Sequence, residues 1–196
     1  MPQQRSTNKD DYVFFWKTNE VHGWGSQWYP SPFTAKITIT EGSPAEEVTF
    51  ETAEHWMMVQ KALLFKDSAI AREILSVPGT SQADMTRVKA LGRQVAGFDE
   101  QTWVDAREGI VLEGNWRKFQ GKGNEELREM LLGTGDRRIV EASPRDRIWG
   151  IGFGEKNALK QMDRWGLNLL GKALEITRAR LRAEGSGGDD DVKRGK

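Results

Sequence analysis

The sequence predicts an α+β fold: a predominantly helical single domain with a small, mostly antiparallel sheet near the N-terminus. Three observations lead there. Residues 33–40 alternate apolar and polar side chains without a miss, the signature of a half-buried strand. From Thr52 onward the chain is punctuated instead by helix starts, with Thr52, Ser81 and Asp99 as N-cap residues. A length of 196 residues suits one ordinary domain with a substantial core, and no internal repeat divides it.

In chain order, residues 1–11 (MPQQRSTNKDD) are polar and are assigned to a disordered N-terminal tail ahead of a domain spanning 12–183. Tyr12 to Trp16 reads as a buried strand. Residues 17–32 form a loop that mixes turn formers with Trp24, Trp28 and Tyr29, rings that either plug one end of the core or meet a ligand. After the alternating strand 33–40, Glu41 to Pro44 makes a turn and Val48 to Phe50 the returning strand, so that residues 12–50 supply the sheet. On residues 53–66, Trp56, Met57, Val59, Leu63 and Leu64 cover too much of the circumference for a surface helix, which makes this one buried.

Residues 67–76 and 81–91 read as short helices separated by Pro78-Gly79, the second closed by Gly92 as a C-cap. Asp99 opens a long helix to about Phe119, and Glu125 to Leu132 forms a shorter one that stops at Gly133. Residues 134–143 turn into a short strand, residues 144–154 form a glycine-rich loop, and residues 166–183 form an amphipathic closing helix. Residues 184–196 (EGSGGDDDVKRGK) are assigned to a disordered C-terminal tail.

Composition narrows the function classes. The 29 basic and 29 acidic residues balance to a formal charge of +0, which offers no overall attraction to nucleic acid or an anionic membrane. The absence of cysteine removes disulfides and thiolate sites, and His22 and His55 lack the spacing of a zinc motif. No apolar run approaches the ~20 residues that span a bilayer. The expectation is a soluble protein of the cytoplasm, with the nucleus as the other compartment, and with no metal and no cofactor. Gly150-x-Gly152-x-Gly154 is no dinucleotide fingerprint, because Glu155 stands where the third spaced glycine belongs and no βαβ unit surrounds it. Gly133-Thr134-Gly135-Asp136 lacks the ending of a phosphate-binding P-loop and reads as a helix stop and turn.

The buried helix carries the chemistry. Glu54, His55 and Lys61 on it need partners or a wet cavity, since an unpaired buried ion costs several kcal/mol. Glu54 falls in the first turn, where the positive helix end favours an ionised carboxylate. Lys61 shares its face roughly 10 Å along the axis and leans back toward it, within reach of one pocket. A capped core helix with a buried ion pair is the competing reading. Asp136, Glu141, Asp146, Arg93, Trp28, Trp103 and Trp149 complete the constellation. Acids with flat rings suit cleavage of a glycosidic bond beside an aromatic base. The departing base needs a stacking surface, the cation-like sugar C1 a carboxylate, and the attacking water a base.

The order of motifs adds a resemblance. Ser26-Gln27-Trp28 and Pro32-Phe33 are followed by Thr52-x-Glu54-His55-Trp56-x-x-x-Gln60-Lys61-Ala62 and Leu91-Gly92-Arg93. Then come Trp103-x-x-x-Arg107, Lys118-Phe119, Leu132-Gly133-Thr134-Gly135-Asp136, Val140-Glu141-Ala142-Ser143, Asp146-x-x-Trp149-Gly150 and Gly166-x-Asn168-x-Leu170-Gly171, the last placed on the closing helix. Over about residues 12–182 this resembles the NADAR family, the YbiA-like N-glycosidases. The resemblance implies a compact, mostly helical α+β fold and hydrolysis of an N-glycosidic bond. Its implied substrates are phosphoribosylated pyrimidine intermediates of riboflavin synthesis or ADP-ribose on guanine bases of nucleic acid.

Carried over by position, the family's acid falls on Glu54, its tryptophan on Trp103, its late-loop aspartate on Asp146, its helix lysine on Lys61 and its arginine on Arg93. Gln27 and Trp28 depart from the Asn and Phe that many members have, which bears on the substrate rather than the chemistry. Glu54 would then stabilise positive charge at C1 or activate water, and Asp146 orient water or protonate the base. Trp103 would stack on the base or wall the pocket, with simple core packing as the alternative. Arg93 would hold a phosphate with its fork of donors, or form a helix-end salt bridge. Lys61 would pair with an anion or act as an amine nucleophile. Trp28, Ser26, Trp149, His55 and Asp136 complete the substrate-binding candidates. From another function class, the same pocket would serve a non-catalytic ADP-ribose or nucleotide reader, against which stands the retention of two acids.

Overall fold

The computed structural model describes residues 6–187; the parts of the two predicted tails in residues 1–5 and 188–196 lie outside the described residues. Strand β1 (Tyr12–Phe15) is followed by β2 (Phe33–Ile37), β3 (Glu46–Phe50) and helix α1 (Ala53–Leu64). Helices α2 (Ser68–Leu75), α3 (Gln82–Gly92), α4 (Glu100–Gln120) and α5 (Glu125–Leu132) come next. The chain ends with β4 (Arg138–Glu141), the short α6 (Glu155–Ala158) and α7 (Leu169–Gly187). The α+β class with a helical majority is as the sequence predicts. Among the described residues no helix is long and apolar enough to cross a membrane.

The chain divides into two compact units, residues 27–125 and a second unit with residues 6–26 and 126–187 among those described. In the first, β2 and β3 form an antiparallel pair that sets Phe33 opposite Phe50. Burial alternates along β2, and the buried face continues through Ile39, although the ladder stops at Ile37. The Phe33 and Phe50 rings stack at 5.5 Å, and Trp56 of α1 meets Phe50 edge-on at 5.1 Å. The indole N–H of Trp56 donates to the Ile110 carbonyl of α4 at 2.9 Å, so the ring is buried without losing a hydrogen bond. Helix α1 packs against α2, α3 and α4, which explains why its apolar residues run most of the way round.

Two expectations fail here. Gly92 is the last helical residue of α3, not a cap beyond it, and the capping position belongs to Arg93 in ordinary right-handed conformation. What Gly92 supplies is space: a Cβ there would collide with Met58 Sδ. The strand at residue 12 also does not join the β2–β3 pair. It belongs to the second unit, where β1 and β4 form a parallel pair with Phe14 opposite Val140. A parallel pair needs a long connection, and here that connection is everything between Phe15 and Arg138.

In the second unit Tyr12, Phe14, Val140, Ala142 and Ile151 form one apolar cluster, extended by Ala158 and Met162. Helix α7 lies on β4, and Gly171 allows the approach, because a Cβ there would collide with the Ile139 carbonyl oxygen. The closing helix starts later than residue 166. Asn168 precedes it at φ +51°, giving its amide to the Ile139 carbonyl at 2.9 Å and accepting the Glu141 amide at 3.0 Å. It also runs past residue 183, to Gly187. Residues 9–11, assigned to a tail, form a 3-10 turn capped by Asn8, and residues 155–164 add helical turns that the sequence pattern does not announce.

Candidate active site

In the unit of residues 27–125 the site grows from the start of α1. Thr52 is extended, and its hydroxyl oxygen accepts the His55 amide at 3.3 Å, as a cap should. Glu54 therefore stands in the first turn, among amides that have no partner within the helix. Its own amide donates to the Gln27 carbonyl at 3.0 Å, and the residue is 3% exposed. Gln27 is fixed in turn by α4, where the Asn115 amide donates to Gln27 Oε1 at 3.1 Å and to the Val111 carbonyl at 2.9 Å. Trp28, the next residue, is half-buried.

Seven residues along α1, Lys61 reaches the end of α3. Its ammonium donates to the Gly92 carbonyl at 2.7 Å, at the negative end of that helix. The Phe98 ring lies 4.4 Å from the same nitrogen and the Trp103 ring 5.6 Å. Burial, and then the neighbouring Arg93 guanidinium, push the Lys61 pKa below the ordinary 10.5. Arg93 itself is exposed, and Trp103 is half-buried in the first turn of α4, where Asp99 is the cap. The Lys61 ammonium thus sits between two rings and a carbonyl, with Arg93 as a neighbouring charge.

His55, the residue after Glu54 in α1, lies against its own cap. It is 2% exposed, and Nδ1 lies 3.0 Å from the Thr52 hydroxyl. Burial pushes its pKa below 6.5, against smaller opposing effects of a Val77 backbone group and Asp84.

In the second unit, Asp146 is half-buried in the glycine-rich loop. Its Oδ1 accepts the Ile148 and Trp149 amides, each at 2.8 Å, which fixes both the carboxylate and the half-buried Trp149. Ser26 is also half-buried, at the end of the 3-10 turn Gly23–Gly25. The Asp136 side chain is 95% exposed and pairs with Arg182 at 2.7 Å, the bond that lowers its pKa. The segment Gly133–Asp136 is a helix stop, with Gly135 at φ +58° and Thr134 donating to the Leu131 carbonyl at 2.6 Å.

Two residues have no role assigned from the sequence, although Lys118 stands in one of its motifs. Lys118 of α4 is 0% exposed, and burial lowers its pKa to about 7. Its ammonium lies 5.7 Å from the Tyr29 ring and 5.3 Å from that of Phe119. The signal was its place on the buried stripe of α4, four residues after Gly114. For Phe98 the local signal is its place just before the Asp99 cap with Trp103 at the fourth helical position, the spacing of a hydrophobic staple, which marks a helix start and not a site.

The NADAR domain family profile matches residues 14–182. An N-glycosidase of Acanthamoeba polyphaga mimivirus is 39% identical over 171 residues, covering 84% of this chain and 93% of the relative. A riboflavin biosynthesis protein of Vibrio vulnificus is 27% identical over 177 residues, covering 90% of this chain and 40% of that longer protein. Among solved structures, the NMR structure of the Escherichia coli protein YbiA superposes with a TM-score of 0.66 at 25% identity, covering 91% of this chain and 89% of that one.

Proposed function

The chain belongs to the NADAR domain family and is an enzyme of the N-glycosidase type, and we propose that it hydrolyses the bond between a phosphorylated ribose, or the ribose of ADP-ribose, and a nitrogenous base. The observation that carries this reading is the buried Glu54 on the same helix as Lys61, whose ammonium is flanked by Phe98, Trp103 and Arg93. A carboxylate serves the positive charge that develops at C1, the rings serve a flat base, and the cations serve phosphate. Phosphoribosyl-pyrimidines of riboflavin synthesis and ADP-ribosylated guanine are the substrates to test first, the former supported by the name of the Vibrio relative.

Incubating the protein with both and measuring released base or ADP-ribose by chromatography tests the activity. Release from either supports it. Binding of ADP-ribose without release from any N-glycoside overturns it in favour of a reader. Asp146→Asn keeps an acceptor for the two loop amides and is expected to lower turnover more than stability; unchanged turnover removes Asp146 from the chemistry.

The desolvation of Lys61 favours a second reading of its role. A lowered pKa raises the share of the neutral amine that a nucleophile needs. In that path Nζ bonds to C1 as the C1–N bond breaks and the base leaves with a proton; the C1–O4' bond then opens, the ring oxygen takes a proton from Nζ, and water hydrolyses the resulting imine. Borohydride added during turnover would then give a protein adduct with the mass of the reduced sugar, and Lys61→Arg would not.

A further inference from the structure

Single exposed apolar side chains are ordinary on protein surfaces, so the 47% exposure of Phe98 carries nothing by itself. Its setting is not ordinary. The segment that bears it is pinned on both sides: Val95 is buried, the Ala96 amide donates to Asp67 Oδ2 at 2.8 Å, and Asp99 caps α4 by accepting the Thr102 amide at 2.8 Å. Gly97 between these anchors takes φ +65°, which only glycine adopts cheaply, and this turns the chain ahead of Phe98. The ring packs tilted against Phe65, with centroids 5.3 Å apart and planes at 57°. The Lys61 ammonium lies 4.4 Å from the ring centre, with Trp103 on the same nitrogen. A pinned backbone thus presents an aromatic ring beside the Lys61 charge.

We propose that Phe98 is a substrate-contacting residue that offers its exposed area to the planar base of the N-glycoside while Lys61 meets the sugar-phosphate end. This rests on the site reading proposed above and adds to it the residue that discriminates a base-bearing ligand from a bare sugar phosphate. Stacking suits the task because every nucleobase has a flat face, and the leaving base needs to be held without a strong hydrogen bond that would resist its departure.

The test uses guanosine 5'-monophosphate and ribose 5-phosphate as probes, titrated calorimetrically into the wild-type protein, Phe98→Leu and Phe98→Trp. Leucine keeps apolar cover over Phe65 but has no flat face. Phe98→Leu is expected to weaken the nucleotide by about 10-fold, within the range of measured base–aromatic stacking, and to leave ribose 5-phosphate unchanged. Phe98→Trp is expected to keep or tighten nucleotide binding. Equal weakening of both probes assigns Phe98 to the support of Lys61 and overturns the proposal, as does unchanged nucleotide affinity in Phe98→Leu with ribose 5-phosphate still bound. Wild-type protein that binds neither probe overturns the site reading itself, and the proposal with it.

Discussion

At the scale of single residues, Glu54 is the sharpest test. Glutamine keeps its size and one acceptor but removes the charge a cation-like transition state requires, so Glu54→Gln is expected to lower turnover on the order of 100- to 1,000-fold. Ligand affinity, measured by calorimetry on the same preparation, should change little. A stable variant with wild-type turnover would make Glu54 a structural group only. Lys61 is tested by pH. Its ammonium is charged below its pKa, which burial and Arg93 place under 10.5. An anion-holding Lys61 predicts phosphate affinity that falls as pH rises through that value. A nucleophilic Lys61 predicts a single-turnover rate that rises through the same value, and Lys61→Arg removes either transition.

Elements are set by how closely their backbones approach. Helix α7 reaches β4 at Gly171, where the nearest atom to an added Cβ is a backbone carbonyl that cannot swing aside. Gly171→Ala is expected to destabilise the protein by about 1–3 kcal/mol, the usual range for overpacking, despite the better helix propensity of alanine. A Cβ added at Gly109, inside α4, would have nothing within 4 Å. Gly109→Ala should therefore express propensity alone and stabilise by roughly 0.5–1 kcal/mol. Thermal unfolding of the pair checks both signs, and a stabilised Gly171→Ala protein would show that α7 can shift away from the sheet.

For the whole molecule, the buried Lys118 links stability to pH. Its folded pKa is about 7, against 10.5 unperturbed, with burial as the cause. Between those values the unfolded chain holds a proton that the folded chain has released. Stability from this group therefore rises as pH increases from about 7 toward 10.5, by an amount on the order of a few kcal/mol. Urea unfolding across that window is expected to show the rise, and Lys118→Met to flatten it. An unchanged slope in the variant would assign the dependence to other groups.

What the sequence determined by itself is what short-range physics decides. Caps are read within four residues, so the starts of α1, α3 and α4 at Thr52, Ser81 and Asp99 were visible, and Glu54 fell in a first turn for the same reason. The alternation at Phe33 to Ile37 needed only a half-buried strand. The expectation that Lys61, Arg93 and Trp103 share one site comes from motif order carried over from a family, not from spacing. Tertiary structure alone decided the rest. The β1–β4 partnership joins residues more than a hundred positions apart, and β propensity says nothing about partners. Asp136, a substrate-binding candidate by sequence, pairs with Arg182 of α7, 46 positions later. Gly92 looked like a cap because helix ends and close contacts both select glycine, and only the position of Met58 separates them. Phe98 became distinctive only when Lys61, 37 positions earlier in the chain, came to rest on its ring, since contacts of that range are decided by packing and not by local pattern.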